Sequence, residues 1–308
     1  MAARPRIVVL LGPTASGKTR LGMALAQELG VPIISADSVQ VYRGLDIGSA
    51  KPTPAERARV PHVGLDLLDP TEPSHAGRWL AAIEPTIASL HDAGKVPLVA
   101  GGTGLYARVL LLGLAPIPEI DPALRDEVRR RVAADPRAAH AELARRDPLT
   151  AARLAERDQQ RVARALEVAL HTGRPLSAWH ADEPQAPRFD ATIVVLDPAP
   201  AALEARIAAR AEAMVQAGLV AEVAALLAGG IPPDAPGLAT LGYREVVAAL
   251  VAGRPLDGDL LVRAHRQYAR RQRTWLRGSG MAGLPATRLD PDDHDALARL
   301  FALAVAHP

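Results

Sequence analysis

Short apolar runs and longer amphipathic stretches take turns along the N-terminal third of the chain. Arg6 to Leu11, Pro32 to Ala36, His62 to Leu68 and Val96 to Ala100 concentrate Ile, Val and Leu in segments of strand length. Between them, Lys18 to Leu29 and Trp79 to Ala93 repeat apolar residues at three- and four-residue spacing, as an amphipathic helix does. The alternation predicts βαβ units, and so an α/β fold with a parallel sheet and helices on both faces. A fifth strand is expected only much later, at Ala191 to Asp197.

The stretch before that fifth strand has a different pattern. It contains no strand-like run and predicts helices at Pro122 to Ala133 after Asp121, Ala138 to Arg145, Leu149 to Glu156, and Gln159 to His171 closing at Gly173. Prolines cluster at its edges, Pro116, Pro118 and Pro122 on one side and Pro184 and Pro187 on the other. Residues 116–187 are therefore expected to form an all-helical subdomain inserted into an α/β core made of residues 1–115 and 188–308. Beyond the fifth strand the pattern is helical again: Ala201 to Ala217, Leu219 to Ala228, Tyr243 to Val251 and Asp257 to Arg277.

Composition narrows the chemistry. The 308 residues are 49% hydrophobic, enough to bury a core in each part. With no cysteine, disulfides, thiolate zinc sites, iron–sulfur clusters and cysteine nucleophiles are excluded. Lys18, Lys51 and Lys95 are the only lysines among 36 basic residues, so each invites a question. Met1 to Arg6 is basic, but the apolar run Ile7 to Leu11 is too short for a signal peptide. No uncharged apolar stretch reaches the ~18 residues of a membrane span. A cytoplasmic protein without membrane contact is expected.

Gly12-Pro13-Thr14-Ala15-Ser16-Gly17-Lys18-Thr19 matches the phosphate-binding pattern G-x-x-x-x-G-K-[ST] in full, between a predicted strand and a predicted helix. Its backbone N–H groups can turn inward around phosphate oxygens at a helix N-terminus, with Lys18 adding charge and Thr19 a hydroxyl for Mg²⁺. A di- or triphosphate, ATP included, is the expected ligand. The reaction stays open at this point. Asp197 ends the late strand and is either a magnesium carboxylate or an ordinary strand-end turn with Pro198. In open α/β sheets ligands bind at the carboxyl ends of the strands, and Asp37, Ser38 and Gln40 follow the second strand directly.

Several motifs together carry a resemblance. The phosphate loop, Asp37 to Pro52, Pro97 to Tyr106, Gln160 to Val168, Gly218 to Leu226, Leu241 to Val246 and Arg266 to Arg277 resemble, in order, the segments of the tRNA dimethylallyltransferase family, also called isopentenyl-diphosphate:tRNA transferases. The resemblance spans nearly the whole chain and is of the bacterial type, without a cysteine-based zinc finger. It implies a P-loop NTPase-like fold. It also implies transfer of a dimethylallyl group from dimethylallyl diphosphate to N6 of the adenosine 3′ of the anticodon of tRNA, with release of diphosphate.

On that resemblance the loop holds a leaving group rather than a phosphoryl donor, with Mg²⁺ on Thr19. Asp37 matches the family's general base, and Thr103 joins it at the site. The helix around Arg206 and Arg210 matches a segment that carries a diphosphate-binding arginine, either of the two. The tRNA anticodon stem-loop is implied to meet Asp37, Ser38, Val39, Gln40 and Thr103. In the insert it would meet Arg125, Gln159, Gln160, Arg161, Val162 and Ala163. One tRNA per chain suggests a monomer.

Leu260 to Gly280 contains six arginines and no acid, and Arg263, Arg266, Arg270, Arg273 and Arg277 share one helical face. Without counterions such a stripe predicts contact with an RNA backbone, while Tyr268 and Trp275 beside it predict core packing rather than base stacking. The chain departs from the family pattern at Ser49, usually threonine, and at Ser74 and Trp79, usually Tyr and Phe. Two other readings share the same loop. One is a nucleotide or small-molecule kinase with Asp197 on magnesium and the insert as a lid; the other is an RNA-binding module switched by nucleotide.

Overall fold

In a computed structural model, which describes residues 4–182, 186–278, 281 and 283–305, the strand after the N-terminus lies in the middle of the sheet. Met1, Pro184 and Gly280, used above, lie outside the described residues. Strand β1 (Arg6–Leu11) is followed by α1 (Lys18–Leu29), β2 (Ile33–Ser35), α2 (Pro54–Arg59), β3 (His62–Val63), α3 (Ala76–Asp92), β4 (Leu98–Gly101) and α4 (Gly104–Leu112). The other strands are β5 (Asp190–Leu196) and β6 (Thr287–Leu289). All pairs are parallel, in the order β3-β2-β4-β1-β5-β6. Ile7 to Leu11 are at most 1% exposed, as expected of a strand covered on both faces; each such aliphatic side chain contributes roughly 1.5–3 kcal/mol.

Strand β4 slots between β2 and β1, so the loops after β1, β2 and β4 open side by side. Sheet topology alone thus brings Gly12–Thr19, Asp37 and Thr103 to one edge.

The chain divides into two units, residues 1–111 with 188–308, and residues 112–187. The first also contains α10 (Pro200–Gln216), α11 (Leu219–Ala228), α12 (Tyr243–Val251), α13 (Gly258–Arg277) and α14 (Ala296–Val305). The second consists of α5 (Pro122–Ala134), α6 (Pro136–Arg146), α7 (Pro148–Ala151), α8 (Gln159–Thr172) and α9 (Leu176–Ala181). Three of its helices start on Asp-Pro: Asp121, Asp135 and Asp147 each accept a first-turn N–H, and proline at the first helical position has no N–H to lose. Asp147 is fully buried. Burial works to raise its pKa, but bonds from Thr150 and Ser177 win and hold it below the usual value.

Two expected elements are shorter than predicted. The strand at His62 to Leu68 stops at Val63, because Gly64 and Asp66 take positive φ (85° and 55°) and turn the chain; Leu68 keeps a single bridge to Tyr42. The helix at Leu149 to Glu156 ends at Ala151. Helices α2, α4, α9 and α14 and strand β6 had no counterpart in the sequence reading. Among the described residues no single helix is long and apolar enough to cross a membrane.

Candidate active site

The phosphate loop leaves β1 at Gly12, where an added Cβ would lie 2.6 Å from Ser16 Oγ, and enters α1 through Gly17 at φ 85°. Both glycines are therefore required by the turn. Lys18 curls back over the loop and donates to the carbonyls of Gly12 (2.9 Å) and Pro13 (2.6 Å). Burial first, and then the charge of Arg210, push its pKa down to about 7, with Asp37 opposing. Thr19 is exposed and, with Thr14 to Lys18, lines a cavity beside the loop.

Asp37 closes an Asx turn. One carboxylate oxygen accepts the N–H of Val39 at 2.9 Å and of Gln40 at 3.4 Å, which leaves the other oxygen outside the turn. Thr103 joins this turn to the β4 loop: its N–H donates to Ala36 O (3.1 Å), and its hydroxyl oxygen accepts the Ser38 N–H (3.0 Å).

The rest of the run 37–52 is held by buried polar bonds. Lys51, whose side chain is fully buried, donates to Asp46 and Asp66 at 2.6 Å each and to the Tyr42 carbonyl at 2.7 Å. Ser49 donates to the carbonyl of Leu45 (2.6 Å), so the hydroxyl kept in place of threonine is in use. From outside, Glu222 on α11 accepts the N–H groups of Asp46 and Ile47 and the Tyr243 hydroxyl, while the Tyr243 ring covers Gly48. The motifs Gly218 to Leu226 and Leu241 to Val246 thus scaffold this loop. Lys95 merely caps α1, donating to the Gly30 carbonyl.

Gln40 proves to be part of the same scaffold. Its amide accepts from Ser35 Oγ (2.9 Å) and donates to the carbonyls of Ser49 (3.3 Å) and Ala50 (3.1 Å). Both N–H donors of its amide are thus committed to the loop, while the residue still lines the cavity. Trp79 is likewise structural: its indole N–H donates to Ser35 O (2.8 Å) and its ring stacks on Tyr106 at 4.6 Å, while Ser74 bonds the Tyr106 hydroxyl.

Of the two candidate arginines, one reaches the cavity. Arg206 is ion-paired to Asp292 at the surface. Arg210, one turn further along α10, lies beside Lys18 and Asp37 in a cavity of about 320 Å³, and its Nε has no partner. Burial lowers its pKa and the Asp37 charge works against that. Helix α13 supplies three more lining residues, His265, Tyr268 and Gln272. His265 donates from Nδ1 to the Leu261 carbonyl (2.9 Å); burial, and then Arg210, hold its pKa below the usual histidine value. His265 is marked by no local sequence pattern, and Gln272 lies inside the Arg266 to Arg277 motif without being set apart by it.

Four of the five arginines of the stripe meet a carboxylate, whereas the Arg266 Nε has no hydrogen-bond partner. Asp197 is clamped by Arg273 (2.9 Å), Arg277 (2.6 Å) and Arg288 (3.3 Å), Arg263 pairs with Asp257, and Arg270 approaches Glu204. Burial pushes the Asp197 carboxyl up, and the three guanidiniums hold it well below the usual range. The charge of the stripe is thus partly opposed, and Asp197 is a clamp for α13 rather than a magnesium carboxylate. Trp275 packs on Gly104, where a Cβ would come within 2.1 Å of the ring.

In the helical unit, Gln159, Gln160 and Arg161 are exposed at the start of α8 and Arg125 is half-buried on α5. Val162 and Ala163 are buried in that unit's own core, so their side chains cannot present themselves to a ligand.

Residues 40–279 match the family model described as IPP transferase, and residues 5–66 match isopentenyl transferase. The chain is 47% identical over 302 residues to the tRNA dimethylallyltransferase of Anaeromyxobacter dehalogenans (strain 2CP-C), covering 96% of this chain and 98% of that protein. The chain belongs to the tRNA dimethylallyltransferase family. It is therefore a prenyl-transferring enzyme, and the kinase and nucleotide-switch readings are set aside. The tRNA dimethylallyltransferase of Sorangium cellulosum (strain So ce56) is 45% identical over 280 residues, covering 90% and 89% of the two chains.

Solved relatives share the fold. The full-length tRNA isopentenylpyrophosphate transferase of Bacillus halodurans superposes with a TM-score of 0.69 at 33% identity, over 98% of this chain and 95% of that one. A eukaryotic dimethylallyltransferase solved while acting on tRNA gives 0.84 at 25% identity, over 98% and 78%.

Proposed function

We propose that the protein transfers the dimethylallyl group of dimethylallyl diphosphate to N6 of the adenosine 3′ of a tRNA anticodon, releasing diphosphate. The observation that carries this reading is the meeting of Asp37, Lys18 and Arg210 on one cavity. A carboxylate faces two cations across a space with a phosphate loop on one side.

The chemistry follows from those charges. Adenine N6 is a weak nucleophile because its lone pair is delocalised into the ring. Asp37 takes the N6 proton as the new C–N bond forms to the allylic carbon. The C–O bond to diphosphate breaks, and the negative charge it leaves falls on loop N–H groups, Lys18 and Arg210. Thr19 fits Mg²⁺ as a hydroxyl ligand at the cavity mouth: this ion keeps several waters and is usually completed by substrate phosphates, so few protein ligands are needed. When bound it would supply further charge to the diphosphate. Among the described residues no group of three or more His, Asp or Glu offers it another home.

N6 must leave its stack to reach Asp37, which the Ser38 to Val39 turn and Thr103 would then flank. Arg125, Gln159, Gln160 and Arg161 would hold the anticodon stem-loop through the helical unit. One tRNA per chain needs no second copy, which fits a monomer, and a tRNA acceptor fits work in the cytoplasm.

Parallel incubations of the protein with unmodified tRNA and Mg²⁺, one with radiolabelled dimethylallyl diphosphate and one with γ-labelled ATP, test the proposal. Label is expected to enter tRNA from the allylic donor alone. Loss of label from ATP, with none entering tRNA from the allylic donor, would refute it.

A further inference from the structure

The phosphate loop and the loop that carries Thr103 are joined by one side chain. Gln272, on α13 and 7% exposed, accepts the Thr14 N–H at 2.8 Å through Oε1 and donates from Nε2 to the Gly102 carbonyl at 2.9 Å. An N–H can only donate and a carbonyl can only accept, so the amide has one possible orientation. Gly102 admits this approach because it has no side chain; a Cβ there would sit 2.4 Å from Nε2.

Each end of the amide continues into the chemistry. Four residues beyond Thr14 the loop reaches Lys18, which lies against the Gly12 and Pro13 carbonyls. Next to Gly102 stands Thr103, bonded through its N–H to Ala36 and through its hydroxyl to Ser38, the two neighbours of Asp37.

We propose that Gln272 is a positioning residue for prenyl transfer, fixing the distance between the loop that holds the leaving diphosphate and the turn that holds the base. The inference rests on the proposed function. With its oxygen and its nitrogen each engaged by a backbone group, the amide acts by setting where the reacting groups stand, and a displacement of about 1 Å between such groups can cost about a hundredfold in rate. It also gives a reason for glutamine. Glutamate turns a carboxylate toward the Gly102 carbonyl, and methionine leaves both backbone groups unpaired in a buried place.

The test compares Gln272→Glu and Gln272→Met with the unaltered protein in steady-state prenyl transfer to tRNA, from about pH 6 to about pH 8.5. Near neutral pH both variants should lose about a hundredfold in kcat, with the KM for tRNA and for dimethylallyl diphosphate within about threefold. As pH falls, the Glu variant should recover relative to the unaltered protein. Its neutral carboxyl can donate to Gly102 and accept from Thr14 as the amide does. Lys18, Asp37, Arg210 and His265 face the same cavity in both proteins, so the ratio at each pH isolates residue 272.

The Met variant should show no acid recovery. Unchanged kcat in either variant, a loss confined to the KM of the donor, or no acid recovery in the Glu variant would each overturn the proposal. Should both variants fail to fold, Gly102→Ala displaces the same amide from the opposite side. A hundredfold lower kcat there supports the proposal, and an unchanged kcat overturns it. Failure of the underlying function is distinguishable, since the unaltered protein would then transfer no prenyl group.

Discussion

Ser38 and Thr103, sixty-five residues apart, share two hydrogen bonds: the Ser38 N–H donates to Thr103 Oγ1 at 3.0 Å, and the Thr103 hydroxyl donates to Ser38 Oγ at 3.2 Å. The carboxylate of Asp37 is therefore held from both sides, by its own Asx turn and by the β4 loop. Asparagine at this position keeps an oxygen for the Val39 N–H but cannot take a proton. Asp37→Asn is expected to lower kcat by roughly 10²–10⁴-fold. Filter binding should show tRNA affinity within about threefold of the original, since the turn survives.

Arg206 and Arg210 separate by their surroundings. Arg210→Ala removes a buried cation from the wall beside Lys18 and should lower kcat/KM for dimethylallyl diphosphate by roughly 10²–10³-fold. Arg206→Ala breaks a surface pair with Asp292, for which a stability loss of at most ~1 kcal/mol is expected. Its transfer kinetics should match those of the unaltered protein.

Lys18 gives diphosphate binding a pH dependence of definite sign. Its pKa in the free protein is lowered to about 7, so below that pH it is already charged; above it, an arriving anion must draw a proton onto the amine. Affinity for inorganic diphosphate should fall as pH rises past about 7, with proton uptake visible by titration calorimetry in buffers of different ionisation enthalpy. Lys18→Arg keeps its charge throughout. The difference between the two affinity curves reports the lysine and not the ligand's own titration.

Lys51→Met should destabilise the protein by about 1–3 kcal/mol, because it leaves the Tyr42 carbonyl, Asp46 and Asp66 without the donor they share. Burial works to raise the Asp66 pKa, but Lys51 and Arg57 win and leave it below the usual value. Its contribution is therefore complete above about pH 4 and is lost as pH falls through the lowered folded-state value. Urea unfolding should show the gap between variant and original narrowing below that pH.

Much of this could be read without coordinates, for a physical reason. A phosphate loop is a short-range device: its two glycines, its lysine and its place between a strand and a helix lie within a few residues of one another. The period of apolar positions is equally local, so strands β1, β2, β4 and β5 and the all-helical insert were legible, as was the loop that delivers Asp37. Segments ended by backbone turns rather than by a change of pattern, such as the strand cut short at Gly64, were misjudged.

What the local pattern left open depends on partners far away in the chain. Arg206 and Arg210 share one face of α10, and their fates diverge because Asp292 lies near one and the Lys18 cavity near the other. Asp197 has the strand-end position of a metal carboxylate, yet Arg273, Arg277 and Arg288 converge on it from α13 and β6. Gln40 stands next to the base turn but is bound to Ser35, Ser49 and Ala50. Gln272 lies inside the Arg266 to Arg277 motif, but nothing local sets it apart from its neighbours, because its significance arises only where α13 crosses the ends of β1 and β4. A side chain's chemistry belongs to its residue type, whereas its exposure, charge neighbours and free valences are set by packing.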